Sequence, residues 1–272
     1  MKNTACKIVV YPLIIIFFSI VGCSKENLNQ KDKKVLLVFC GITMVNPIKE
    51  IAKKIEKDYN CKIEILQGGS EDIYQSLKMS KKGDLYFPGS DSYRKKHFSE
   101  GLLSDFMFVG YNQLSMIVAK GNPKNIDADI KNLLNPKYLV SIGNAESSSV
   151  GKQTKKVLKI AGIYEKVLLN ATKIASDSRT MNNLLKEGAA DIILNWRATA
   201  NFPENKDIME ALILDESIAP KKKLMINLTT CSKNIEIAKA FMLYAGSQEG
   251  QKIFYKYGFL DEIIEDRKFN EL

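Results

Sequence analysis

The sequence predicts an α/β fold of alternating strands and helices, on three observations. Val35–Phe39 is an apolar run of strand length, after which Val45, Ile48, Ile51, Ala52 and Ile55 fall at helical spacing up to Tyr59. Lys62–Leu66 then alternates apolar and polar residues as a strand does. Ile73 and Leu77 mark a second helix, and Leu85–Phe87 is a third short strand. Units of this length imply parallel strands joined by right-handed crossovers.

Two strand-to-helix turns are the informative part of this unit. Cys40-Gly41-Ile42-Thr43 precedes the long helix, and Gly68-Gly69-Ser70 precedes the second. Each places a hydroxyl where an N-cap would sit. Both lie at carboxyl ends of strands, where open α/β sheets bind ligands. A helix start offers free N–H groups and a positive dipole end, which suit an anion. Capping alone would account for either residue. Two such turns in one unit favour a site.

Residues 1–22 read as an export signal. Lys2 and Lys7 form a basic start, and Ile8–Ile20 is almost wholly apolar, interrupted by Pro12. The Val21-Gly22-Cys23 end resembles the lipobox of bacterial lipoproteins, which implies cleavage before Cys23 and lipidation of its sulfur. Residues 23–32 are polar, lack periodicity and read as a tether. The expected location is outside the cytoplasm, anchored by lipid to a membrane.

The chain has 272 residues, 45% of them apolar, which is ample for a core and long for a single one. Loss of Lys2 and Lys7 takes the net charge from +9 to +7. No aromatics interleave with the lysines in a nucleic-acid pattern, so nucleic acid is not an expected partner. Short basic runs at 152–156 and 221–223 read as solvated faces that also steer anions inward. Cys40, Cys61 and Cys231 remain after processing, without metal-type spacing; core packing or one disulfide both fit. The single histidine, His97, lies in a basic run read as surface, with no nucleophile beside it. No catalytic residue, metal ligand or cofactor site is therefore assigned.

Further on, Leu103–Val109 and Leu114–Ala119 read as strands joined by Gly110-Tyr111-Asn112. A second α/β series follows: strand Tyr138–Ile142, loop Gly143–Ser149, helix Val150–Ile160 and strand Thr172–Ala175. A helix after Ser176-Asp177-Ser178-Arg179 ends near Gly188, and strand Asp191–Asn195 delivers Trp196. Met209–Leu214 and Leu224–Thr229 read as return strands, followed by helices at Ile235–Tyr244 and about Gln248–Tyr257.

Taken in order, VFCGITMVNPIKEIAKKIEK, ILQGGSEDIYQSL, GDLYFPGS, QLSMIVAKGNP, SSVGKQTKKVL, SDSRTMNNLLKEGAADIILNW and SQEGQKIF resemble the periplasmic molybdate- and tungstate-binding proteins of ABC importers. The resemblance implies a two-lobed type II periplasmic-binding fold, each lobe a mostly parallel sheet flanked by helices, with two crossover strands as hinge. Lobe one is placed at 33–112 and 224–272, and lobe two at 113–223. The family holds its oxyanion with hydroxyls and backbone N–H groups. Carried over by position, these fall on Thr43, Ser70, Val150 with Ser149 beside it, Ser178 and Trp196. Lys152 and Arg179 are further candidate contacts. Two positions depart from the family pattern. Trp196 stands where the family has tyrosine, and an indole N–H donates but cannot accept. Ser149-Val150 replaces a proline-alanine pair.

The expected function is a monomeric, lipid-anchored solute-binding protein, not an enzyme, that captures molybdate or tungstate for an ABC permease. Alternatives are a binding protein for phosphate, sulfate, a phosphonate or a small carboxylate, an exported enzyme on the same fold, or a lipoprotein that mainly contacts other proteins.

Overall fold

The structure is a computed structural model and describes residues 33–272. The signal segment 1–22, Cys23 and the tether 23–32 lie outside the described residues.

The first lobe opens with β1 (Val35–Gly41), α1 (Val45–Tyr59), β2 (Lys62–Gly68), α2 (Ser70–Ser80), β3 (Leu85–Phe87) and α3 (Asp91–His97). Then β4 (Leu103–Asn112) runs almost directly into β5 (Leu114–Ala119). The second series is β6 (Val140–Gly143), α4 (Ser149–Ile160), α5 (Tyr164–Asn170), β7 (Ala171–Ala175), α6 (Ser178–Lys186), β8 (Ile192–Trp196) and β9 (Met209–Ile213). The chain ends with β10 (Lys222–Thr229), α7 (Ile235–Gly246) and α8 (Gln248–Lys256).

Two five-stranded sheets result, ordered β2-β1-β3-β10-β4 and β7-β6-β8-β5-β9. Each is parallel through its βα units and antiparallel where a strand arrives from across the molecule. Helices flank both sheets, as expected for a type II periplasmic-binding fold. The sheets are joined twice, through Gln113 and through the segment 214–221. Gln113 ties the two connections together, because its side-chain amide donates to the Leu214 and Ala219 carbonyls, each at 3.3 Å.

Helix α1 shows how the pattern becomes packing. Ile48, Ile51 and Ile55 are buried against β1 and the carboxy-terminal helices, and each contributes about 1.5–3 kcal/mol of burial. The helix stops at Asn60, whose left-handed φ of 46° asparagine tolerates well. On the other face of the sheet, Ile73, Tyr74 and Leu77 of α2 pack with Phe39 and Tyr86.

Four local expectations change. Gly110-Tyr111-Asn112 is not a connector but the end of β4. Gly110 has a φ of 154°, and a Cβ there would lie 2.5 Å from the Phe259 carbonyl oxygen, so glycine lets that carbonyl approach. Met209–Ile213 does not return to the first sheet; it pairs antiparallel with β5 at the edge of the second. Helices α3 and α5 appear where none was read, because both are short and lack an extended apolar period. His97 is not on the surface. Helix α3 buries it on the Tyr74 ring at 3.7 Å between centroids, with Glu100 at 2.8 Å and Glu71 at 3.3 Å from its ring nitrogens. Among the described residues, the thiols of Cys40, Cys61 and Cys231 are free.

Glu71 gives a pH prediction. Burial works to raise its pKa, but hydrogen bonds from Lys96, Gln75 and His97 outweigh it and draw the carboxyl down from 4.5 to about 2. A carboxyl lowered on folding contributes stability that is complete above about pH 4.5 and is lost as pH falls towards about 2. Glu71→Gln is expected to flatten this part of an acid-unfolding curve. Superimposable curves for the two proteins would contradict the assignment.

Candidate functional site

Three helix starts and one 3₁₀ turn converge between the two sheets. From the first lobe come the turn Ile42–Met44 leading into α1, and the start of α2. From the second come the starts of α4 and α6. Together with Gly89 they enclose a cavity of about 20 Å³. Thr43, Ser70, Ser149, Val150 and Ser178 all line it.

The Thr43 and Ser70 hydroxyls are not spent on capping, contrary to their reading as N-caps. Gly69 and Met44 hold the cap positions of α2 and α1 without side-chain bonds, while Thr43 sits inside the 3₁₀ turn. Ser70 is the first residue of its helix, and its Oγ accepts the Gly89 N–H at 2.9 Å. That leaves the Ser70 O–H free to donate. Among the described residues, the Thr43, Ser149 and Ser178 hydroxyls have no hydrogen-bond partner within 3.5 Å.

True caps stand one residue earlier. Ser148 Oγ accepts from Gly151 N at 3.1 Å, and Asp177 Oδ1 accepts from Thr180 N at 2.9 Å. These caps fix the third N–H of each helix and leave the first two, Ser149 and Val150 in α4 and Ser178 and Arg179 in α6, without intrahelical acceptors. Sequence reasoning assigned no cap to either helix, although each is a favoured cap residue followed by a helix.

The supporting contacts are buried amides. Asn195 Nδ2 donates to the Ser178 carbonyl at 3.0 Å and to Asn182 Oδ1 at 2.8 Å, holding the start of α6 against the end of β8. Asn112 Nδ2 donates to the Gly89 carbonyl at 2.8 Å and fixes the loop after β3. Gly89 itself was not singled out in the sequence. A Cβ on it would lie 2.7 Å from Ser149 Oγ across the cleft and 3.5 Å from Ser70 Oγ. The lobes therefore touch over this glycine.

No lysine or arginine lines the cavity among the described residues. Positive potential comes from the helix starts, each equivalent to roughly half a charge. Three acids lie nearby: Asp72, whose Oδ2 is 2.6 Å from where a Cβ on Gly69 would stand, and two that are occupied elsewhere. Glu71 faces Lys96 and His97, and Asp177 takes the Thr180 N–H and the Ser176 hydroxyl.

Trp196, Lys152 and Arg179 lie elsewhere. Arg179 reaches across to Gln67 Oε1 at 3.2 Å and lines an adjoining groove that shares Ile42, Thr43 and Ser178 with the cavity. Trp196 is 1% exposed and packs into the second core, and its backbone N–H donates to Asn195 Oδ1 at 2.8 Å. With Lys152 it lines a chamber of about 440 Å³ on the other side of Ser149, also walled by both lobes. Lys152 Nζ sits 5.0 Å over the Tyr93 ring there, a contact between the lobes.

Comparison with known proteins agrees with this architecture. The family model described as bacterial extracellular solute-binding protein matches residues 36–260. A Bacillus subtilis (strain 168) protein described as an ABC transporter substrate-binding lipoprotein, YvgL, is 25% identical over 253 residues, covering 90% of this chain and 95% of its own length. A Clostridium difficile structure described as the substrate binding domain of a molybdenum ABC transporter superposes with a TM-score of 0.66 at 22% identity, covering 85% of this chain and all of that one. A periplasmic thiamin binding protein superposes with a TM-score of 0.72 at 18% identity, covering 86% of this chain and 84% of that one. At such identities the structures share a fold, and their differing ligands show that the fold does not set the ligand. No helix among the described residues is long and apolar enough to cross a membrane. The chain belongs to the family of bacterial extracellular solute-binding proteins.

Proposed function

We propose that this protein captures a small tetrahedral oxyanion, molybdate or tungstate, between its lobes and delivers it to an ABC permease without chemical change. The observation that carries the reading is the inner cavity. Four hydroxyls and the unpaired N–H groups of several helix starts meet in a space that no lysine or arginine lines among the described residues, and Asp177, the acid in its wall, already accepts from the Thr180 N–H and the Ser176 hydroxyl. Such a set satisfies a fully ionised dianion, which needs donors only. The size supports it as well. About 10–15 Å³ suffices for one water, so about 20 Å³ leaves no room for an organic solute in this inner cavity. A compact inorganic ion requires only a slight parting of the lobes.

Phosphate still carries a proton at neutral pH and profits from a carboxylate that accepts it. Asp177, the one acid lining the cavity, is engaged by the Thr180 N–H. Calorimetry on ligand-stripped protein at neutral pH is expected to rank molybdate and tungstate well ahead of phosphate. Tight phosphate binding, lost on Asp177→Asn while molybdate stays silent, would replace this reading with a phosphate one.

We further infer attachment to a membrane through lipidated Cys23, which the lipoprotein description of the Bacillus subtilis relative supports. Lipid labelling is expected to vanish in Cys23→Ala, and full labelling of that variant would exclude the anchor.

A further inference from the structure

We propose that the 440 Å³ chamber beyond Ser149 is a second anion site, taking an organic anion with two or more acidic groups. Its volume falls in the range of roughly 300–1,000 Å³ usual for small-molecule sites.

Three buried polar atoms carry the argument. Tyr93 Oη, Gln153 Nε2 and Trp196 Nε1 have no hydrogen-bond partner among the described residues, and all three residues line this chamber. They are 3%, 7% and 1% exposed. They come from α3, α4 and β8, so both lobes contribute. An unpaired buried donor costs about 1–3 kcal/mol, and three around one chamber form a donor set suited to an acceptor-rich ligand.

Charge points the same way. Among the described residues, Lys95 pairs with Asp91, and Lys221 with Glu216 and Asp261. Lys152, Lys156, Lys222 and Lys223 have no carboxylate within ion-pair distance and line the same space. Burial first, and then the charge of Lys156, lowers the pKa of Lys222. An anion between these ammonium groups relieves that repulsion. Lysines alone would read as a solvated face; the buried donors beside them distinguish this wall. The Trp196 and Tyr93 rings and Met225 add apolar surface, which favours a carbon skeleton over a bare inorganic ion.

The test is titration of ligand-stripped protein by calorimetry and by fluorescence of Trp196, the only tryptophan. The probes are tricarballylate and phosphonoacetate, with acetate as the monoanion control. Either polyanion is expected to alter Trp196 emission and to bind at least about tenfold tighter than acetate. The Lys156→Ala/Lys222→Ala variant, checked for an unchanged melting temperature, should lose about tenfold or more of that affinity, or about 1.4 kcal/mol. Its molybdate affinity should hold. Thr43→Ala should do the reverse, so the oxyanion reading can fail while this one stands. The proposal is overturned if neither polyanion binds, if the lysine variant binds them unchanged, or if Thr43→Ala removes their binding.

Discussion

Gly89→Val is expected to weaken oxyanion binding by about a hundredfold or more, roughly 2.7 kcal/mol, with little change in the melting temperature of the ligand-free protein. The glycine sits where the lobes meet, its ideal Cβ 2.7 Å from Ser149 Oγ. A single methyl can be met by rotating the Ser149 hydroxyl, at the cost of one donor. A branched side chain also fills the cavity beside Ser70 and holds the lobes apart. Open lobes leave the ligand bound by one wall only, so the loss exceeds that of any single hydrogen bond. Calorimetry paired with small-angle scattering reads both effects. Unchanged affinity with normal ligand-induced compaction would remove Gly89 from the site.

Thr43→Ala and Ser70→Ala are each expected to cost about 1.5–3 kcal/mol of binding, ten- to a hundredfold, as for hydrogen bonds to a charged partner. The two should differ in stability. The Thr43 hydroxyl has no hydrogen-bond partner among the described residues, so its loss should leave melting nearly unchanged. Ser70 accepts the Gly89 N–H, and its loss strands that buried donor. Ser70→Ala should therefore melt lower, by an amount corresponding to about 1–3 kcal/mol. Equal melting with equal affinity loss would show that the Ser70–Gly89 bond carries no stability.

Much of this was legible in the sequence. The alternation of β1, α1 and β2 is local, so periodicity alone finds it, and the hydroxyls at the strand-to-helix turns follow from chain direction. Other features depend on distant partners. His97 looks exposed among lysines until Tyr74, Glu71 and Glu100 surround it. Gly89 looks like an ordinary turn residue until Ser149 arrives opposite, sixty positions later. The shared sheet order of the two lobes leaves no usable repeat in the residues, because the antiparallel strand inside the first sheet, β10, comes late in the chain and its counterpart in the second, β5, comes before the βα units. Trp196 was placed by analogy with a tyrosine; it packs in the second core and lines the larger chamber, not the inner cavity.

The late place of β10 in the chain also sets an order of assembly. The second sheet is drawn wholly from β5 to β9, a contiguous stretch. The first cannot close until β10 slots between β3 and β4, where Asn227 bonds the Tyr86 carbonyl 141 positions earlier. Closing so long a loop is slow, and nearer contacts form before it. A chain emerging amino end first would therefore complete its second half while its first still shows two open strand edges, a state prone to mispairing. Pulsed hydrogen exchange during refolding should show amides of β5, β6 and β8 protected before those of β10. Protection of β10 first would reverse the order.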